Sequence, residues 1–296
     1  MIKEIFPRFN FFFISTLFLC TLLWITNTYS QVSAPQIFHS IRNDTSPPLR
    51  DMAEAPVSPT PWKNGVIPIF KNESKFKDRY QKDKSLQNTM GTRGTTSILQ
   101  SWDGVSAGPY IPPDCSGDVG LNHYMEMVNI QFQIWDKTGT SLLGPLNLGT
   151  LWSGFPGPWS SSLNDGDPVI LYDEAADRWV ATQFSLPNYG SSPNYILVAV
   201  SQTSDPTGSW YRYGFEFPDF PDYPKYGVWP DGYYVSANHF SGSAVGTTNA
   251  AFEREAMLNG DPAQMVLFNT SLSISWSLLP SDWNGTNTPP AGSPAR

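Results

Sequence analysis

Residues 164–184 read NDGDPVILYDEAADRWVATQF. Two short apolar runs, PVILYD (168–173) and WVATQF (179–184), flank a polar segment that reads as a turn. Runs of this length, rich in β-branched and aromatic residues and bounded by Asp, Asn and Gly, are strands of a hairpin and not a helix. Asp167 stands ahead of the first run, Trp179 opens the second, and the amide Gln183 lies near its end.

The pattern recurs on either side. Tyr124 in YMEMVN, Trp179 in WVATQF and Tyr234 in YVSANHF are spaced 55 residues apart, twice, and the runs close on Asn129, Gln183 and Asn238. Asp114, Asp167 and Asp222 precede the three aromatics by ten or twelve residues. Each unit supplies two more candidate strands. The third is FQIW (132–135), YILVAVS (195–201) or AAFERE (250–255), and the fourth is LLGPLNL (142–148), WYRYGFEF (210–217) or MVLFN (265–269). DKTG (136–139), DPTG (205–208) and NGDP (259–262) lie between them, residues that set turn geometry. Four short strands per unit of about 55 residues is the arithmetic of an all-β propeller blade, with about three blades in a partial ring. A twisted four-stranded sheet has two apolar faces, and stacking sheets about an axis buries both. The Trp and Tyr series then reads first as packing between blades.

Outside these units the chain changes character. Lys3 and Arg8, an apolar stretch from Phe11 to Ile25, and the small residues Thr28 and Ser30 form the order of a signal peptide over 1–30, cleaved near Ser30–Gln31. The expected protein is extracellular or at the cell surface, with no stable transmembrane span after cleavage. The apolar run is short of the roughly 20 residues a span needs. Residues 31–95 carry Pro47, Pro48, Pro56, Pro59 and Pro61 and a mixed-charge stretch from Lys71 to Lys84, and read as a flexible leader. The propeller region is expected over 96–296. SILQSWDG (97–104) would be an outer strand closing onto the last blade, and the sequence would be a fragment of a longer ring.

Charge is divided in the same way. Residues 1–95 hold 12 Lys and Arg against 7 Asp and Glu, a net of +5, while 96–296 hold 6 against 19, a net of −13. An acidic body disfavours nucleic acid, which needs clustered cations, and suits cations, sugars or proteins. Cys115 is the one cysteine after residue 30, so the body has no internal disulfide; as a lone thiol it reads as a small buried residue.

Several strings resemble a family of secreted bacterial β-propeller proteins, often multidomain surface proteins: PPDCSGDVGLNHYMEMVN (112–129), NDGDPVILYDEAADRWVATQF (164–184), VAVSQTSDPTGSWYRY (198–213) and DYPKYGVWPDGYYVSANHF (222–240). The resemblance spans about 97–295. It implies a propeller and an extracellular or surface location, and no established reaction. The chain departs from it at Cys115, where a Thr-like residue is expected, and in lacking later blades and a C-terminal module.

No complete catalytic motif is present. There is no HExxH, CxxC or G-x-S-x-G, and His39, His123 and His239 sit at unrelated places in the pattern. Sialidase chemistry would need an arginine cluster, which Arg178, Arg212 and Arg254 would have to supply. Asp114, Asp167 and Asp222, each before the first strand of its unit, would converge at one mouth of the ring. There they would bind a ligand or, as hard oxygen donors, calcium. The plainer account has each Asp capping its own turn. Lys225, Trp229, Asp231, His239 and Tyr233 form a second candidate cluster, with wedge packing as the plainer account of Trp229. The function expected is a binding or adhesion module for a polysaccharide or an extracellular protein. A glycan hydrolase using two of the channel-mouth Asp residues, in a body also rich in other carboxylates such as Asp118, Asp165 and Asp231, and a structural spacer, are the alternatives. N-x-[ST] sequons occur at Asn43, Asn72, Asn269 and Asn284.

Overall fold

The structure is a computed structural model that describes residues 32–56, 98–108, 112–161, 163–188, 191–285 and 287–295. The residues read as a signal peptide and its cleavage site, and the charged stretch 71–84, lie outside the described residues. Fourteen strands are described: β1 (Gln36–His39), β2 (Arg42–Thr45), β3 (Ser116–Val119), β4 (His123–Val128), β5 (Gln131–Asp136), β6 (Ser141–Asn147), β7 (Val169–Asp173), β8 (Arg178–Ser185), β9 (Asn194–Ser201), β10 (Trp210–Phe217), β11 (Phe220–Trp229), β12 (Gly232–Phe240), β13 (Ala244–Phe252) and β14 (Gln264–Ser271). Two short helices, α1 (Gly149–Trp152) and α2 (Arg254–Asn259), interrupt them, and a 3₁₀ turn spans Leu49–Asp51.

The chain is all-β, built of three antiparallel sheets, none closed on itself. Their strand orders are β3-β4-β5-β6, β2-β10-β9-β8-β7 and β1-β14-β13-β12-β11. Each unit recognised in the sequence is one meander of four strands. Among the described residues, no helix is long and apolar enough to cross a membrane.

The middle sheet explains why its strands are apolar throughout. Side chains alternate between the two faces of a strand, and all eight residues of β9 are buried. Tyr195, Leu197 and Ala199 join Met125, Met127, Phe132 and Ile134 of the first sheet in one core, closed by Trp152, Trp159, Trp179 and Trp210. Ile196, Val198 and Val200 turn the other way, onto Tyr226, Val228, Tyr233, Val235 and Phe252 of the third sheet. Trp179, the repeat aromatic, is fully buried between the first two sheets. Its indole N–H donates to the Ser204 carbonyl at 3.1 Å, so burial leaves no orphan donor.

The first strands of the sheets stand side by side, β3 against β7 and β7 against β11. Side chains at alternate positions of β3 stitch the first pair. Ser116 Oγ accepts the Ile170 N–H at 3.1 Å and Asp118 Oδ2 accepts the Tyr172 N–H at 2.7 Å. On the far side of β11, Asp282 Oδ1 accepts the Val228 N–H at 2.8 Å, and Trp283 N–H reaches the Val228 carbonyl at 2.9 Å. Gly227 permits this approach, because a Cβ there would strike the Ser281 carbonyl.

Two expectations about the N-terminal part are corrected. Residues 36–39 and 42–45, read as leader without regular elements, are strands. β1 pairs with β14 (Ile37 opposite Val266) and β2 with β10 (Arg212 opposite Asp44). Their sequences QIFH and RNDT carry little strand signal, and the edges of finished sheets supply their hydrogen bonds. The path then continues to the first sheet, where Ala55 N–H donates to Thr150 Oγ1 at 3.0 Å and Asn147 donates to the Ala55 carbonyl at 2.9 Å. Residues 32–56 are therefore a strap that visits the third, second and first sheets in turn. The outer strand expected from 97–104 is not formed; the described residues 98–104 contain no strand, and Trp102 lies instead across Tyr124 and Trp135 of the first sheet. The place on the last sheet is taken by β1.

Candidate functional site

Each sheet begins at a corner with the same unusual backbone. Asp114, Asp167 and Tyr223 have φ of 49°, 46° and 52°. Left-handed φ is uncommon without glycine; Asp tolerates it through local hydrogen bonding, whereas a bulky tyrosine is an outlier. Such strain costs on the order of 1–3 kcal/mol per residue and concentrates at binding sites. At the third corner the chain bulges, the register to β12 shifting between Asp222 and Lys225. The residue equivalent to Asp114 and Asp167 is thus Tyr223, not Asp222. The X-Pro step shared by Asp167–Pro168 and Tyr223–Pro224 is the sequence signal that shows it.

The three corners surround one cavity of about 360 Å³. Its wall contains Asp114, Cys115 and Ser116 from the first corner, Asp167 and Val169 from the second, and Tyr223, Lys225 and Tyr226 from the third. Pro112, Pro168 and Pro224 complete it and fix the backbone there. Sequence order placed Asp114, Asp167 and Lys225 among the candidates, and the fold brings these three together.

Asp222 sits just outside the lining. Burial pushes its carboxyl up to about 6 and the neighbouring Asp114 carboxylate adds to the rise, while a hydrogen bond from the Tyr223 N–H opposes it. Lys225 folds back so that Nζ lies 3.5 Å from the centre of the Tyr223 ring, a cation–π contact at a half-exposed tyrosine. Cys115 is exposed in the cavity wall, which corrects its reading as a buried residue. It occupies a strained corner, not a strand interior. Tyr226 is nine-tenths buried, and its hydroxyl has no hydrogen-bond partner. Thr182, close enough to act on that phenol, directs its own hydroxyl to the Val169 carbonyl at 3.4 Å.

The second candidate cluster separates. Trp229 and Asp231 lie at the opposite end of β11 from the cavity, four and more residues along a strand that rises about 3.3 Å per residue. There Trp229 donates to the Ser293 carbonyl at 3.0 Å and Asp231 accepts from Tyr234 at 3.1 Å. Tyr233 donates to the fully buried Asp173 at 2.9 Å, which also holds Arg254 through bonds of 2.6 and 2.9 Å. His239 pairs with Asp219 at 2.6 Å, outside the cavity lining. Of the five, Lys225 alone lines the cavity.

The other readings meet similar geometry. Arg212 is bound to Asp44, Arg254 to Asp173, and Arg178 to the carbonyls of Ala176 and Asp177, so no arginine cluster forms. Asp165 accepts the Leu186 N–H at 2.6 Å in the interior. Among the described residues, no three His, Cys, Asp or Glu side chains form a metal-ligand set. Asp114, Asp167 and Asp222 are not such a set, and the bulge puts Tyr223 at the position equivalent to Asp114 and Asp167.

What the cavity offers chemically is a carboxylate wall, an aromatic face, one ammonium and one thiol. Comparison with family models, with curated proteins and with solved structures returns no match.

Proposed function

We propose that this chain is an exported or cell-surface protein whose three sheets are blades of a β-propeller-type body, and that it binds a polysaccharide or an extracellular protein at the mouth formed by the three corners. The export signal in residues 1–30 supports the location. The side-by-side first strands and the two cores facing away from the middle sheet support the blade reading. The observation that carries the binding reading is the cavity itself. Equivalent strained corners of three separate sheets contribute to one concave surface with convergent polar groups, the usual anatomy of a small-ligand site. The test is a glycan array and a panel of extracellular proteins probed with wild type and with Asp167→Asn. Binding that the variant weakens supports the reading; absence of any binding points to a spacer role.

One observation favours hydrolysis as a second reading. A carboxyl raised to about 6 beside a carboxylate is how glycosidases divide acid and base roles. Release of reducing ends from a glycan, abolished in Asp167→Asn and in Asp222→Asn, would support it.

A further inference from the structure

We propose that residues 281–285 are a latch across the first strands of the three sheets, closed in acid and loosened as pH rises. The latch is independent of what the mouth binds.

The segment lies at the ends of β7 and β11 away from the cavity. Asp282 Oδ1 accepts the Val228 N–H at 2.8 Å and the Trp283 N–H donates to the Val228 carbonyl at 2.9 Å, so both backbone groups of one β11 residue are held. Two residues on, the Gly285 N–H donates to Glu174 Oε2 at 3.0 Å, in the turn that follows β7. Asp282 and Glu174 both act on the charge of Asp118, on β3. One short segment thus bears on all three first strands. The hold is light, because Asp282, Asn284 and Gly285 are exposed. A segment kept in place by exposed hydrogen bonds with little apolar burial opens at low cost.

Charge opposes the closed form. The segment brings Asp282 to a place that already holds Asp118 and Glu174, and among the described residues none of the three makes an ion pair within 4 Å. The cations nearby in the fold are engaged elsewhere. Lys137 Nζ donates to the Gly120 carbonyl at 2.8 Å, Arg178 to the carbonyls of Ala176 and Asp177, and Arg254 is bound to Asp173. Asp177 is bonded to the Tyr172 hydroxyl. The Tyr124 phenol, on which Asp118 also acts, is pushed above its ordinary 10.0 by burial and stays neutral.

Burial raises the Asp118 carboxyl above the ordinary carboxylate range. Hydrogen bonds from the Tyr172 and Val119 N–H groups oppose the rise, and Asp282 and Glu174 add to it. Opening the latch removes the part due to Asp282, so the closed form holds the Asp118 proton more tightly. By linkage, closure is favoured where Asp118 is protonated and loses ground as pH rises through its titration, above 3.8. Asp282 and Glu174 are exposed, so the repulsion is screened and modest. That suits a lightly held segment. β3, β7 and β11 each carry a stretch of the cavity wall at their other ends, so the latch acts on the strands that carry the mouth.

The test is backbone hydrogen exchange on the whole chain at pH 4 and pH 7, each rate divided by the intrinsic rate at that pH. The peptides read are 226–229 and 281–285, with β9 as reference. Protection of both peptides is expected to fall severalfold from pH 4 to pH 7 while β9 holds. Added salt should restore part of it at pH 7 and change nothing at pH 4. Asp118→Asn keeps an oxygen for the Tyr172 N–H and removes the charge; at pH 7 it should protect both peptides as the wild type does at pH 4. Equal protection at the two pH values, protection that rises with pH, or a folded Asp118→Asn protein looser than wild type at pH 7 would overturn the proposal. If that variant does not fold, the wild-type pH and salt series decides alone.

Discussion

Arg212 grips Asp44 through two parallel hydrogen bonds, Nε to Oδ1 at 2.9 Å and Nη2 to Oδ2 at 2.8 Å, and its remaining nitrogen donates to the carbonyls of Leu151 and Ser153. The guanidinium is 2 % exposed and lies over the Phe155 ring. One residue of the N-terminal strap is thus joined to the interior of the middle sheet, where a charge is tolerated because each of the three guanidinium nitrogens has an acceptor.

Removing Asp44 would leave that guanidinium buried and uncompensated. Asp44→Ala is expected to destabilise by about 3–5 kcal/mol, the usual cost of breaking a buried pair from one side. Arg212→Met, which removes the charge with its partner left near the surface, should cost less. Chemical denaturation of the two variants gives the order; an Asp44→Ala protein as stable as wild type would mean the strap contributes nothing to the fold.

A second buried pair ties the middle sheet to the third. Asp173 is inaccessible and bonded to both Arg254 and Tyr233. Tyr233→Phe deletes one neutral donor and should cost roughly 1 kcal/mol. Asp173→Ala strands Arg254 and should cost several times more, measured as a fall in denaturation midpoint with little change in slope.

Asp222 gives a pH dependence of defined sign. Its carboxyl is raised from 3.8 in the unfolded chain to about 6 in the folded one. The folded state therefore binds the proton more tightly, and this group's contribution to stability is greatest below about pH 4. It falls as pH rises through 4 to 6 and is flat above. The full change is at most roughly 3 kcal/mol, by the conversion of pKa difference to free energy. Asp222→Asn should be more stable than wild type at pH 7 and should lack this slope; melting curves at pH 4, 5, 6 and 7 will show whether the difference narrows towards acid.

The cavity predicts two chemical responses. Cys115 should react with a thiol reagent in the folded protein, a modification assigned by peptide mass, because it is exposed at a corner and not packed. Chelation should leave the melting temperature unchanged within about 1 °C, since no carboxylate set for a metal forms among the described residues. A drop of several degrees on chelation would support the calcium reading.

How much of this was legible follows from where the forces are local. Most strands of the three meanders were readable from apolar runs and turn residues because their partners are near in sequence; AAFERE (250–255) was not, since β13 spans Ala244–Phe252 and α2 begins at Arg254. YILVAVS announces a strand buried on both faces, and that is β9. The strap was not readable: RNDT is a strand because Arg212 and its neighbours on β10, more than 160 residues away, offer a free edge. The mouth was half legible. Asp114 and Asp167 were found by their repeated position, but aligning on the letter Asp put the third corner at Asp222 and hid the bulge that makes Tyr223 its equivalent. Lys225 and Trp229 were grouped because they are near in sequence, though a strand carries them to opposite ends of a sheet.

The order in which the strap meets its sheets has a consequence for biosynthesis. Ile37 leaves the ribosome long before Val266, the residue it must face, and Asp44 long before Arg212. The first-made strand, β1, must therefore wait for the last-made, β14, while β2 waits only for β10. Contacts this distant along the chain are slow to form, so the nascent protein passes through a stage in which the outer rims of two sheets are bare while the segment meant for them is still loose. An added peptide copying residues 36–45 would compete with that segment for the same two rims.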